Sequence, residues 1–208
     1  MKRIYGRINA PQWDEGEVEE LDEKNIAGFR FPWLDSSLKQ LKSMGIYFHH
    51  GLDVGARNGP ASAVMLQYVD AIDAIELHKQ SCDVINSKFN KDNTRIKVIN
   101  SAFGKWSPDD YKYDVIVMFE VLEHMQDPFY AVEIAYDLLE NGGYLFITTP
   151  EQDGVFGVND NNHDHYWTAT AQSIVGRVFY DDRRWKIIQI IVPDKNIIYV
   201  VAQKRFIT

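Results

Sequence analysis

Two carboxylates and an imidazole stand close together in Phe119-Glu120-Val121-Leu122-Glu123-His124, where Glu120, Glu123 and His124 occupy i, i+3 and i+4. On a helical turn that spacing puts all three on one face. His124 titrates near neutrality in the ordinary case, which suits a general base for a hydroxyl. The same three groups also suit a divalent metal that lowers the pKa of that hydroxyl. A plainer reading, in which Glu123 and His124 cap the start of a helix, stays open beside both. A second chemical signal is Gly51-Leu52-Asp53-Val54-Gly55-Ala56-Arg57-Asn58-Gly59. It reads as a buried strand running into a glycine-bearing turn. Glycine has no side chain in the way and tolerates positive φ, so a nucleotide-like ligand can approach the backbone. Such a turn predicts an acid at the end of the next strand to hold a ribose. Glu76, about 20 residues beyond Gly55, stands there.

The elements that must position these groups can be read in order. Asp35 caps a helix carrying Leu38, Leu41 and Met44, which Gly45 ends. Residues 46–54 form the first central strand, and residues 61–68 the helix after the glycine turn. Residues 70–77 form a second strand, residues 80–89 a helix and residues 95–99 a third strand. Tyr113 to Phe119 is almost wholly apolar, which suits a parallel strand covered on both faces. Asp127-Pro128 starts a helix with the stripe Phe129, Val132, Ala135, Tyr136 and Leu139, and Asn141-Gly142-Gly143 stops it. Tyr144 to Pro150 is a fifth strand. Thr168 caps a helix to about Phe179, and residues 185–192 and 196–203 close the chain as an antiparallel hairpin. Alternating strands and helices place the chain in the α/β class.

The 208 residues carry a net charge of −8, with 45% apolar and 25% charged residues. That balance describes a globular chain and argues against broad phosphate-backbone binding, which relies on clustered Lys and Arg. Lys2/Arg3/Arg7 and Arg183/Arg184/Lys186 are the basic clusters, and both read as solvated charge. No apolar run approaches the ~20 residues of a membrane helix. Lys2 and Arg3 lack an apolar core behind them, so no secretory signal is expected. Cys82 is the only cysteine, so no internal disulfide forms, which fits a reducing, cytoplasmic setting. Residues 1–34 are weakly periodic and include an acidic run from Asp14 to Glu23. They are expected to form a cap segment, with Trp13, Phe29, Phe31 and Trp33 packing onto a main domain of residues 35–208.

Several separate stretches agree with one family. The chain resembles the class I S-adenosylmethionine-dependent methyltransferases over roughly residues 35–208. Leu52 to Gly59 is similar to the family's first motif, and Glu76 matches its ribose-binding acid. Phe119 to Pro128 is similar to its EVLEH-x-x-DP segment. Leu138 to Leu145 matches the passage into the fifth strand, and the final hairpin completes the pattern. The resemblance implies a seven-stranded, mostly parallel Rossmann-like sheet in the order 3-2-1-4-5-7-6, with helices on both faces.

It also implies S-adenosylmethionine as cofactor. Gly55 and Gly59 would allow its close approach, and Asp53 would sit at the turn and either order the backbone or reach the methionine end through water. Glu76 would accept from the ribose hydroxyls, and Leu77 and Phe103 would sandwich adenine. Ala56, Ala102 and Phe119 complete the cofactor-binding set. Two positions depart from the family. Arg57 stands where the middle glycine is usual, so its side chain must point away or cross the pocket mouth, where a guanidinium can meet a carboxylate. Ser101 stands where many relatives have an acid for the adenine amino group.

The later segment Asn161-Asn162-His163-Asp164-His165 makes the acid/imidazole group look like that of the small-RNA 2′-O-methyltransferases. Those enzymes hold a metal with Glu, Glu, His and a later His. That resemblance implies Glu120, Glu123, His124 and His163 as ligands of a divalent metal such as Mg2+, with Glu120, Glu123, His124 and His165 as the catalytic group. Quinone-pathway O-methyltransferases are similar in the first segment alone. The activity implied is O-methylation of a small-molecule or sugar-like acceptor. The alternatives are an RNA 2′-O-methyltransferase, against which the acidic charge counts, and a non-catalytic cofactor-binding module, suggested by Arg57 and Ser101.

Overall fold

The computed structural model describes residues 31–89, 95–106, 108, 111–151, 165–181, 183–194 and 197–206. Helix α1 (Phe31–Ser43) leads into strand β1 (Phe48–Val54), helix α2 (Pro60–Met65), strand β2 (Val69–Glu76) and helix α3 (Lys79–Phe89). Strands β3 (Ile96–Asn100) and β4 (Tyr113–Phe119) follow, then a 3-10 turn (Leu122–His124), helix α4 (Pro128–Leu138) and strand β5 (Leu139–Pro150). Helix α5 (Ala171–Ser173) continues as a π-helical turn over Ile174–Val178, and strands β6 (Trp185–Asp194) and β7 (Ile197–Lys204) end the fold.

The strands form one sheet in the order β3-β2-β1-β4-β5-β7-β6. β1 pairs in parallel with β2 on one side and β4 on the other, so Asp53 lies between Ala74 and Val117. β7 runs antiparallel between β5 and β6. The expected order and the closing hairpin are therefore both present. Chain order reverses between β1 and β4, and the crevice at the carboxyl ends of those strands is where open α/β sheets bind ligands.

Alternation along the strands sends side chains into two cores. Ile116, Met118, Leu145, Ile147 and Val200 pack beneath α4 and the π-helical turn through Val132, Ala135 and Ile174. Val115, Val117, Phe146 and Val201 pack beneath α1, α2 and α3 through Leu38, Met65 and Ile85. Burial on both faces is why β4 reads as an unbroken apolar run. Among the described residues no helix is long and apolar enough to cross a membrane.

Several local expectations are corrected. Helix α1 is already formed at Phe31, so Asp35 lies inside it and accepts from the Tyr68 hydroxyl at 2.6 Å instead of capping. Met44 lies beyond the helix and is exposed, as is Phe129 on α4. Helix α4 ends at Leu138 because Leu139 pairs with Tyr113, which draws Asn141-Gly142-Gly143 into β5. Asp127 caps α4 as expected, accepting from the Tyr130 amide at 2.9 Å. Thr168 is buried, and Thr170 caps α5 through a reciprocal pair with Ser173. Arg184 pairs with Glu133 at 2.6 Å and covers the Tyr136 ring, and Arg183 pairs with Asp181.

One polar cluster was not foreseen. Asp73, buried on β2, accepts from the Tyr111 hydroxyl at 2.5 Å and the Tyr113 hydroxyl at 2.6 Å. His50 stacks on Tyr111 at 4.5 Å between ring centres. His50 is thus tied into the sheet.

Candidate functional site

The glycine turn lies against the end of β2. The Gly55 and Ala56 amides both donate to the Ile75 carbonyl, at 2.9 and 3.0 Å. Gly55 has φ 66° and Gly59 has φ 85°. A Cβ on Gly55 would come within 2.6 Å of Val121, and one on Gly59 within 2.7 Å of Phe89. Conformation and space both demand glycine there. Arg57 adopts φ 47° in the same turn with its side chain exposed.

Glu76 is 4% exposed, and a backbone amide holds each carboxylate oxygen. The Arg57 amide donates to Oε2 and the His78 amide to Oε1, both at 2.8 Å. This fixes the carboxylate plane and leaves further lone pairs for a vicinal diol. Asn100 and Ser101 tie β3 alongside. The Asn100 side-chain amide donates to the Glu76 and Leu77 carbonyls, and the Ser101 amide donates to the Glu76 carbonyl. Leu77 is exposed at this edge, and Ala102 and Phe103 are half-buried. The Ser101 hydroxyl donates to the Ala102 carbonyl at 3.3 Å, which leaves its oxygen as an acceptor.

Of the two roles expected for Asp53, the geometry matches the ordering of the turn. Asp53 lies beneath the turn, 2% exposed, accepting from the Ser62 hydroxyl on α2 at 2.6 Å. Burial pushes its carboxyl up to about 7; the Ser62 bonds oppose the rise and nearby Glu76 adds to it. Its observed partner is thus Ser62, so Asp53 anchors the turn to α2. Ala56 is buried in the core beneath. Phe119, half-buried at the end of β4, lies 6.2 Å from Phe31 and 5.9 Å from Tyr199 between ring centres.

The acid/imidazole group is only partly as expected. Glu120 has φ 54°, and its amide donates to the carbonyl and hydroxyl of Thr148. The chain turns sharply at this residue, and only Leu122–His124 form a 3-10 turn. Glu120 therefore does not share a helical face with Glu123 and His124. Glu123 is 1% exposed and accepts from the Thr149 hydroxyl at 3.1 Å; its Oε1 lies 4.0 Å from His124 Nε2. His165 arrives from the far side of the β5 loop. The Tyr166 amide donates to the Glu123 carbonyl at 2.8 Å, and the Trp167 indole donates to the Met125 carbonyl at 3.1 Å. These bonds set the His165 ring 4.8 Å from that of His124.

One ligand atom from each of Glu123, His124 and His165 lies within 4.8 Å of the others. This grouping of described residues differs from the expected ligand set. Glu120 is outside this group, His165 is inside it, and His163 lies outside the described residues. Thr149, Tyr166 and Trp167 position the group; the sequence cluster around His165 runs on through Tyr166 and Trp167, whereas Thr149 was not marked. The Thr148-Thr149 pair at the carboxyl end of β5 was the available signal, since strand ends in this fold face the ligand.

A family model described as a methyltransferase domain matches residues 28–194. The ubiquinone biosynthesis O-methyltransferase of Shewanella pealeana is 26% identical over 147 residues, covering 70% of this chain and 59% of that protein. The chain thus spans about three fifths of that relative's length. Among solved structures, an S-adenosylmethionine-dependent methyltransferase from Aquifex aeolicus superposes with a TM-score of 0.68 at 19% identity, covering 93% of this chain and all of that one. The N-methyltransferase NodS from Bradyrhizobium japonicum, in complex with S-adenosylhomocysteine, superposes with a TM-score of 0.66 at 15% identity, covering 90% and 94%. At these identities the two structures speak for the fold alone.

Proposed function

This chain belongs to the methyltransferase-domain family, and from that premise we propose that it transfers a methyl group from S-adenosylmethionine to an oxygen of a small-molecule or sugar-like acceptor. The observation that carries the cofactor reading is Glu76. A buried carboxylate, with each oxygen already held by a backbone amide beside a glycine turn, is built to grip a diol and little else. Exposed Leu77 and half-buried Phe103 offer apolar surface for a flat base at the same edge. The relative named as an O-methyltransferase supports oxygen as the acceptor atom.

S-adenosylmethionine supplies a methyl group on a sulfonium, whose departure leaves a neutral thioether. The protein's task is alignment and removal of one proton. His124 accepts the hydroxyl proton as the acceptor oxygen bonds to the methyl carbon. Buried Glu123, steadied by Thr149, lies 4.0 Å from His124 Nε2 and favours the imidazolium that results. His165 packs edge-on against His124 and holds its ring in place. The division into a cap of residues 1–34 and a domain of residues 35–208 is part of this proposal, with α1 running across that boundary.

A second reading adds a metal, favoured by the 4.8 Å grouping of Glu123, His124 and His165. Two imidazoles and one carboxylate suit a Mn2+ or Zn2+ ion better than Mg2+, which prefers oxygen ligands. Such an ion would lower the pKa of the acceptor hydroxyl. RNA as acceptor fits the net charge of −8 poorly, and a binding titration against salt tests it.

Calorimetry with S-adenosylhomocysteine, followed by transfer of labelled methyl to hydroxylated acceptors, tests the main reading. Binding and label transfer are expected. A well-folded protein that does not bind S-adenosylhomocysteine would refute the reading and leave a non-catalytic module.

A further inference from the structure

Among the described residues only Arg57 and Glu120 combine a side chain with positive φ, and both stand at the carboxyl edge of the central strands. The left-handed region disfavours side chains, and residues held there cluster at ligand clamps. Glycine would take φ 47° at position 57 without strain. Arg57 is also distinctive among the described arginines, because its guanidinium makes no hydrogen bond or ion pair among the described residues. Arg95 donates to the Leu66 carbonyl, Arg183 pairs with Asp181, Arg184 with Glu133, and Arg205 donates to the Trp185 carbonyl. Arg177 likewise has a partner.

The root of the Arg57 side chain is fixed. Its own amide is bound to Glu76, and the Gly55 and Ala56 amides just before it are bound to Ile75. The ends of β1 and β2 carry Asp53 and Glu76, and Glu120 and Glu123 follow the end of β4. These segments hold more acidic than basic side chains. Lys79, just beyond Glu76, is already paired with Asp83.

We infer that Arg57 is the receptor for the carboxylate of the cofactor's amino-acid end, standing where a glycine would satisfy the backbone. The inference rests on reading this pocket as the S-adenosylmethionine site. A guanidinium presents a planar fork that matches a carboxylate through two parallel N–H···O bonds, and its charge offsets the local excess of acids. Arg57 therefore acts in binding and leaves the adenosine end to Glu76.

Two ligands separate the ends of the cofactor. S-adenosylhomocysteine has the carboxylate; 5′-methylthioadenosine keeps the adenosine and thioether but lacks the amino-acid end. Calorimetry with both, on wild type and Arg57→Gly, tests the inference. The glycine variant retains the turn, so its ligand-free melting temperature is expected to equal or exceed that of wild type. Its affinity for S-adenosylhomocysteine falls about tenfold or more, while that for 5′-methylthioadenosine changes less than about twofold. Equal S-adenosylhomocysteine affinity in the two proteins overturns the inference and leaves the cofactor reading intact. An equal loss for both ligands also overturns it, since Arg57 would then act on the adenosine end. If wild type binds neither ligand, the cofactor reading fails and this inference with it.

Discussion

Glu76→Gln is the sharpest test of the site, because it changes one atom and no volume. The Arg57 and His78 amides each donate to a different oxygen of Glu76 at 2.8 Å. A carboxamide has one oxygen, so one of these amides must face an NH2 group, donor against donor. Leaving a donor unsatisfied costs about 1–3 kcal/mol in the free protein. The ribose diol would also lose one of its two charged acceptors, a bond worth about 1.5–3 kcal/mol. The two costs fall in different measurements. The first lowers the melting temperature of the ligand-free protein by a few degrees, at about 2–4 °C per kcal/mol for a chain of this size. The second weakens S-adenosylhomocysteine by about 10- to 100-fold in calorimetry. Glu76→Ala removes both acceptors and is expected to cost roughly 3–6 kcal/mol of binding, beyond about 100-fold. A folded Glu76→Gln protein that binds S-adenosylhomocysteine within about twofold of wild type would show that this carboxylate does not hold the ribose.

Three further outcomes follow from the same geometry. The Asp53 carboxyl is raised from 3.8 to about 7 by burial, so the fold prefers its neutral form. That contribution is complete below about pH 4 and is lost as pH rises through about 7, a swing of a few kcal/mol at ~1.4 per pH unit. Asp53→Asn should therefore flatten the pH dependence of urea unfolding across that window, and an unchanged slope would count against it. Glu123→Gln is expected to lower kcat by about 10²–10⁴ with S-adenosylhomocysteine affinity kept, read from label transfer beside calorimetry; full wild-type activity in chelator removes the metal reading. Asp73→Ala takes the shared acceptor from the Tyr111 and Tyr113 hydroxyls, so unfolding free energy should fall by at least about 2 kcal/mol in urea titration, whereas Tyr111→Phe, which leaves Tyr113 to satisfy Asp73, should cost about 1.

Much of this molecule was legible in the linear chain because its signals are local. The apolar run of β4 declares a strand buried on both faces, and Asp127-Pro128 declares the start of α4 by its own chemistry. The glycines at 55 and 59 and the acid at 76 declare a ligand turn, and the short final connection declares a hairpin. Those features depend on backbone conformation and periodicity, which neighbours in sequence decide. What depends on distant partners was not legible. Asp35 resembles a cap by type, but Tyr68 claims it within a helix that starts earlier. Leu139 looks like the end of a helix until Tyr113 pairs with it.

The acid/imidazole group shows the same division most clearly. The residue types in Glu120-Val121-Leu122-Glu123-His124 announce acid–base or metal chemistry from sequence alone. Their helical spacing predicts a shared face that the left-handed turn at Glu120 breaks. His165, about 40 residues further on, lies beside His124 because Tyr166 is bonded to Glu123 and Trp167 to Met125. Sequence by itself determined which titratable residue types this edge of the sheet carries. Only tertiary structure decided which three side chains meet, because their meeting depends on hydrogen bonds between segments that no local pattern records.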